Sequence, residues 1–132
     1  MLQQFDHERL DVYRQAVEFV AFADTLVEAL PRGNSSVADQ LQRAATSVAL
    51  NIAAGAGEYS GSEKARFYRM AKRSATECAA ALDVLRVRKM VGEPAVAAGR
   101  ELLLRIVSML VKLVQSIEDG GHAKREETGR GT

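Results

Sequence analysis

Five cations stand within one short stretch of this chain: Lys64, Arg66, Arg69, Lys72 and Arg73. On a helix, spacings of three and four put Arg66, Arg69 and Arg73 on one side, with Lys72 beside them and Lys64 at the start. Guanidinium and ammonium groups so arranged can meet phosphates, and contacts of that kind read backbone charge rather than base sequence. Tyr68 lies among them, but one aromatic is too little for a platform on which bases stack. The competing reading is a solvated helix face, or one whose arginines pair with the acidic first helix of a neighbouring copy. The formal net charge of +1, from 18 Lys+Arg and 17 Asp+Glu, weighs against a strong whole-protein field for nucleic acid. That total hides a polarity: residues 1–60 carry 4 Lys+Arg against 8 Asp+Glu, and residues 61–132 carry 14 against 9.

Other chemistry finds less support. A carboxylate-bridged metal site in a helical bundle needs Glu-x-x-His pairs on facing helices. The two histidines, His7 and His122, precede the first helix and follow the last, so no metal or cofactor is expected. Cys78 is the single cysteine and falls on an apolar stripe, where a thiol acts as a small hydrophobe. It cannot form an internal disulfide and fits a reducing compartment. No phosphate-cradling Gly-rich motif is present, and Gly55-Ala56-Gly57 reads as a helix stop. Enzyme is the least supported class. The start lacks a basic region followed by an apolar one, and no apolar run approaches the ~20 residues that span a bilayer. A cytoplasmic protein without a membrane segment is the expectation.

The elements that must position these residues are helices. Only two prolines interrupt a chain rich in Ala, Leu, Val, Arg and Glu. A first helix is expected from Glu8 to Leu30, capped by Asp6. Ser36 and Asp39 resemble a capping box opening a second, which stops near Gly55. Ser60 and Glu63 open a third that reaches about Val91, with Phe67, Ala71, Ser74, Cys78, Leu82 and Leu85 as its core stripe. Gly92-Glu93-Pro94 separates it from a fourth, Pro94 to Ile117. The fold class is therefore all-α, an antiparallel up-down-up-down four-helix bundle over residues 1–118, followed by a disordered polar tail at 119–132. The first and last helices have apolar faces wider than a lone surface helix needs. Part of each is expected to be covered by another subunit in a homo-oligomer.

The second helix organises the rest. Val37, Leu41, Ala45, Val48 and Ile52 form its apolar stripe, and most other positions are small. Arg43, Ser47 and Asn51, with Gly55 one turn further, line the flank of that stripe as helix-packing residues. The Asn51 amide is expected to bond across a helix contact.

The run Gln40-Leu41-Gln42-Arg43-Ala44-Ala45-Thr46-Ser47-Val48-Ala49-Leu50-Asn51-Ile52-Ala53-Ala54-Gly55 resembles the signature of a bacterial four-helix-bundle family. Its members were first noticed as reading frames in intervening sequences of large-subunit ribosomal RNA genes. Phe67-Tyr68-Arg69-Met70-Ala71-Lys72-Arg73-Ser74-Ala75-Thr76-Glu77 and Phe5-Asp6-His7-Glu8-Arg9-Leu10-Asp11-Val12-Tyr13 match as well, in one register over about residues 5–118. Ala54 stands where the family usually has Glu, and Arg73 where it often has Gly, so no role of that Glu is carried over. The resemblance implies a closed homo-oligomeric ring, typically a homopentamer with a central opening. It also implies kinship with an accessory protein of diversity-generating retroelements, which binds a reverse transcriptase and nucleic acid. Partners on that reading are further copies of the chain, RNA or DNA, and a reverse transcriptase or other protein. This chain is far less basic than that relative, and a scaffold that binds no nucleic acid is the alternative.

Overall fold

A computed structural model describes residues 3–31 and 35–130, with side chains for 3–31 and 36–120. A 3-10 turn at Asp6–Arg9 precedes α1 (Asp11–Glu28), α2 (Ser35–Gly57), α3 (Gly61–Val87) and α4 (Glu93–Arg130). No strand occurs among the described residues.

The helix ends depart from the expected ones in instructive ways. α1 begins at Asp11 rather than Glu8, and Asp6 lies in the 3-10 turn instead of capping it. Leu10 breaks the two apart with an extended backbone (φ −91°, ψ 125°) while its side chain packs against the core. His7 sits edge-on to Tyr13 with ring centroids 4.5 Å apart, which ties the turn to α1. α2 already includes Ser35, so Ser36 lies inside the helix and the capping residue falls outside the described ones.

Ser60 caps α3 as expected, its Oγ accepting from the Glu63 amide at 3.1 Å. The other half of that capping box is missing, because the Glu63 carboxylate is turned towards Arg66. α3 stops at Val87, earlier than Val91, and Gly92 is not its terminator. Lys89 adopts φ 60°, and its amide donates to Arg86 O while that of Met90 donates to Leu85 O, both at 2.9 Å. This is the paired hydrogen-bond closure in which glycine is the usual residue. α4 runs to Arg130, past the expected end at Ile117 and through the segment expected to be a disordered tail. No proline follows Pro94, and Ala123-Lys124-Arg125-Glu126-Glu127 are strong helix formers, which outweighs the glycines at 120 and 121.

The helices enclose one core. α2 packs on α1 and α3, α3 on α4, and α4 back on α1, while the backbones of the pairs α1–α3 and α2–α4 do not approach one another among the described residues. The α2 stripe Val37, Leu41, Ala45, Val48 and Ile52 is buried throughout, against Phe19, Leu82, Leu85, Ile106 and Leu110. Close approach is needed at two glycines. A Cβ on Gly55 would stand 2.7 Å from Tyr68 Cε1, and one on Gly99 would stand 2.8 Å from Leu82 Cδ1.

Apolar exposure is distributed differently from the sequence expectation. Phe22, Leu26 and Val27 of α1 and Leu102, Val107 and Leu113 of α4 pack, partly buried, on the core of their own chain. Among the large apolar residues of α1 and α4 only Val17 and Leu104 count as exposed, whereas Leu50, Tyr59, Met70, Val84 and Val87 are exposed on α2, α3 and the loop between them.

Candidate nucleic-acid interface

The α3 cations do not form one free cluster. Lys64 is half-buried, and its Nζ donates to Ala56 O at 2.9 Å and Gly55 O at 3.4 Å, closing the C-terminus of α2. There its charge meets the negative end of the helix dipole, a structural duty that ties it down. Arg66 donates to Glu63 Oε2 through Nε and Nη2, at 3.1 and 2.9 Å, and lies 4.6 Å over the Phe67 ring. Arg69 pairs with Glu118 of α4. Lys72 and Arg73 are exposed and have no ion pair among the described residues. Tyr68 does not interleave with the cations on the surface. At 4% exposure it is a core residue, its ring seated against Gly55, and burial raises its phenol pKa. Of the aromatic and basic residues read together in the sequence, the fold therefore keeps Arg66, Arg69, Lys72 and Arg73 on the outside and takes Tyr68 away.

Residues 8–112 match the model of the 23S rRNA-intervening sequence protein family. The chain belongs to that family. A crystal structure of a protein of unknown function from the S23 ribosomal protein family, from Bacteroides thetaiotaomicron, shares this fold with a TM-score of 0.73 and 18% sequence identity. The alignment covers 78% of the present chain and 97% of the other. No curated protein is significantly similar.

The family signature on α2 contributes packing rather than reactive groups. Ser47 Oγ lies 2.8 Å from Ser74 Oγ on α3, so the hydroxyl is what crosses the helix contact. Asn51 does not cross it. Its Nδ2 donates to Ser47 O at 2.9 Å and to Ser47 Oγ at 3.0 Å, within its own helix. A Ser47 hydroxyl that accepts from Asn51 is free to give its own proton to Ser74, the one polar side chain that is buried among the described residues. Nothing in the sequence singles out Ser74 as that partner, because its position on the α3 stripe marks it only as small. Arg43 projects outward at the rim of a cleft between α2 and α3 instead of joining this network.

Cys78 is fully buried, and burial, with a smaller contribution from the Glu77 charge, pushes its thiol up to about 12. A thiol held neutral in this way is poorly suited to nucleophilic attack. No group of three or more His, Cys, Asp and Glu side chains suited to a metal ion occurs among the described residues. No helix among them is long and apolar enough to cross a membrane.

Proposed function

We propose that this chain is a non-enzymatic interaction module, an antiparallel four-helix bundle that assembles with copies of itself into a closed ring and serves there as a scaffold. A homopentamer is the size that the family resemblance implies. The up-down-up-down order is supported by the connections at 29–34, 58–60 and 88–92. At about 3.5 Å per residue none is long enough to return along a full helix and start the next one parallel. The observation that carries the scaffold reading is the pairing of Lys64, Arg66 and Arg69 with groups in their own chain, which leaves Lys72 and Arg73 of the α3 row without an ion pair among the described residues. Light scattering at micromolar concentration tests the assembly: a mass of several subunits is expected, and a stable monomer overturns it.

A second reading, a nucleic-acid-binding accessory, is supported by the exposure of Lys72 and Arg73 and by the weakness of surface ion pairs. Arg66 and Arg69 can exchange Glu63 and Glu118 for phosphates at little cost. In a ring such contacts would repeat, and affinity would fall steeply with salt and depend little on sequence. Gel-shift titration at low and physiological salt separates the readings. The scaffold predicts no shift at either. A low-salt shift abolished by Arg69→Glu with Arg73→Glu would instead favour the accessory role, and a reverse transcriptase or other protein partner would then be sought by pull-down.

A further inference from the structure

We propose that the cleft between the first half of α2 and the last half of α3 receives the outer face of α1 from a second copy of this chain, an inference that rests on the self-assembly reading above. The cleft encloses about 700 Å³. Ala44 and Ser47 from α2 and Ala80, Ala81 and Val84 from α3 line it, all small or short, so a foreign helix backbone can come close. Its α2 wall runs from Ser36 to Ser47, about three helical turns at 1.5 Å per residue. Leu50, 64% exposed, extends the apolar surface one turn further along α2.

The charges at the rim point to the occupant. Arg43 and Arg88 line the cleft, are exposed and have no ion pair among the described residues, against one lining carboxylate, Glu77. A second identical cleft laid on this one would set guanidinium against guanidinium. The outer face of α1 offers the opposite. Val17, Ala21 and Thr25 form an exposed strip of small side chains at spacings of four, with Val17 44% exposed. Glu18 and Glu28 flank that strip, exposed and without an ion pair among the described residues, and Arg14, one turn before Glu18, is taken by Asp11. From Val17 to Glu28 is again about three turns. A narrow strip edged with carboxylates thus matches a small-residue floor edged with guanidinium groups, in length, side-chain size and sign. α1 and the cleft are different surfaces of one protomer, so the contact is head-to-tail, and its repetition closes a ring or grows a filament.

Two variants of the full chain test this by light scattering at micromolar concentration, with circular dichroism to check helicity. Arg43→Glu with Arg88→Glu should spoil the cleft, and Ala21→Trp should spoil the strip, each reducing the assembly to the 14.3 kDa monomer. Should the double Glu variant lose helicity, Arg43→Gln with Arg88→Gln replaces it, with the same expectation. An equimolar mixture of the two spoiled variants should then recover twice the monomer mass and nothing larger, because one intact strip remains for one intact cleft. A multi-subunit wild type whose variants keep its mass overturns this interface and leaves self-assembly standing. Loss of assembly in the cleft variant alone, or a mixture that stays monomeric, shows that the cleft receives a face of the second copy other than the α1 strip, and overturns the assignment to α1. A monomeric wild type overturns both readings.

Discussion

The inner face of α3 presents Tyr68, Ala71, Cys78, Leu82 and Leu85 to the core, and its outer face carries Arg66, Arg69 and Arg73 on the opposite side of the same helix. The inner residues are held by van der Waals contact so close that a glycine, Gly55, is needed opposite Tyr68. Of the outer ones, Arg66 and Arg69 are held by ion pairs to Glu63 and Glu118, on side chains about half exposed. Contacts of the first kind have no substitute partner when one side changes, because the interior is close-packed. Contacts of the second kind trade with water, salt or another anion at almost no cost. The inner face of α3 is therefore expected to tolerate little change. The row of cations on the outer face can change partners at small cost to the fold.

Substitutions on the two faces should separate by magnitude, and each is best read by urea unfolding at one protein concentration, since the proposed self-assembly would make stability concentration-dependent. The largest effect is expected from Leu82→Ala. That residue is fully buried and packs beside Gly99, and the cavity left behind should cost about 3 kcal/mol. A loss under about 1 kcal/mol would mean that the inner face collapses easily, against the close packing described. Gly55→Ala comes next. Alanine adds about 1 kcal/mol of helix propensity, but its Cβ would meet the Tyr68 ring at 2.7 Å, and overpacking of about 1–3 kcal/mol should leave a net loss of about 1 kcal/mol. A gain in stability would show that the ring moves aside freely.

Cys78 gives the inner face a signature in pH. Burial raises its thiol from 9.0 to about 12, so the folded chain keeps it neutral where an unfolded chain would ionise it. The stability this contributes is complete below pH 9 and is lost as pH rises through 9 to 12. Cys78→Ala should flatten that part of the pH profile, at a packing cost of about 1 kcal/mol at neutral pH. Rapid thiol labelling of the folded wild type at pH 8 would show instead that the site is open. The smallest effect is expected on the outer face. Arg69→Ala breaks the pair with Glu118 across α3 and α4 and should change stability by less than about 0.5 kcal/mol, and by less still in high salt. A larger loss would make this pair part of the packing and erase the contrast between the faces.

Several features are legible in the sequence because they depend only on residues close together along the chain. The stripe Val37, Leu41, Ala45, Val48 and Ile52 follows from helical periodicity, and Ser60 as a cap follows from one side chain three residues from one amide. The end of α3 does not follow. Gly92 has the residue type of a terminator, yet the chain turns at Lys89, where a positive φ lets Met90 reach back to Leu85. Asn51 misleads for a related reason. Its position beside the stripe marks a helix contact correctly, but its amide reaches a nearer acceptor on its own helix and leaves the crossing to Ser47 and Ser74.

By itself the sequence determined that the chain is helical, which residues of α2 face inward, and which family it belongs to, since each is carried by periodicity or by short motifs. Tertiary structure alone decided the fate of the cations and of Tyr68. Whether Lys64 caps α2, Arg69 meets Glu118 or Tyr68 enters the core depends on where a second helix passes, between residues as far apart in sequence as Arg69 and Glu118. The same holds for the exposed apolar surface. Wide apolar faces on α1 and α4 are visible in the sequence, but only the packing shows them largely absorbed within the protomer, with Leu50 and Val84 left uncovered on α2 and α3. A helix's own pattern measures how much apolar surface must be buried, and its neighbours in space determine which part of that surface is covered.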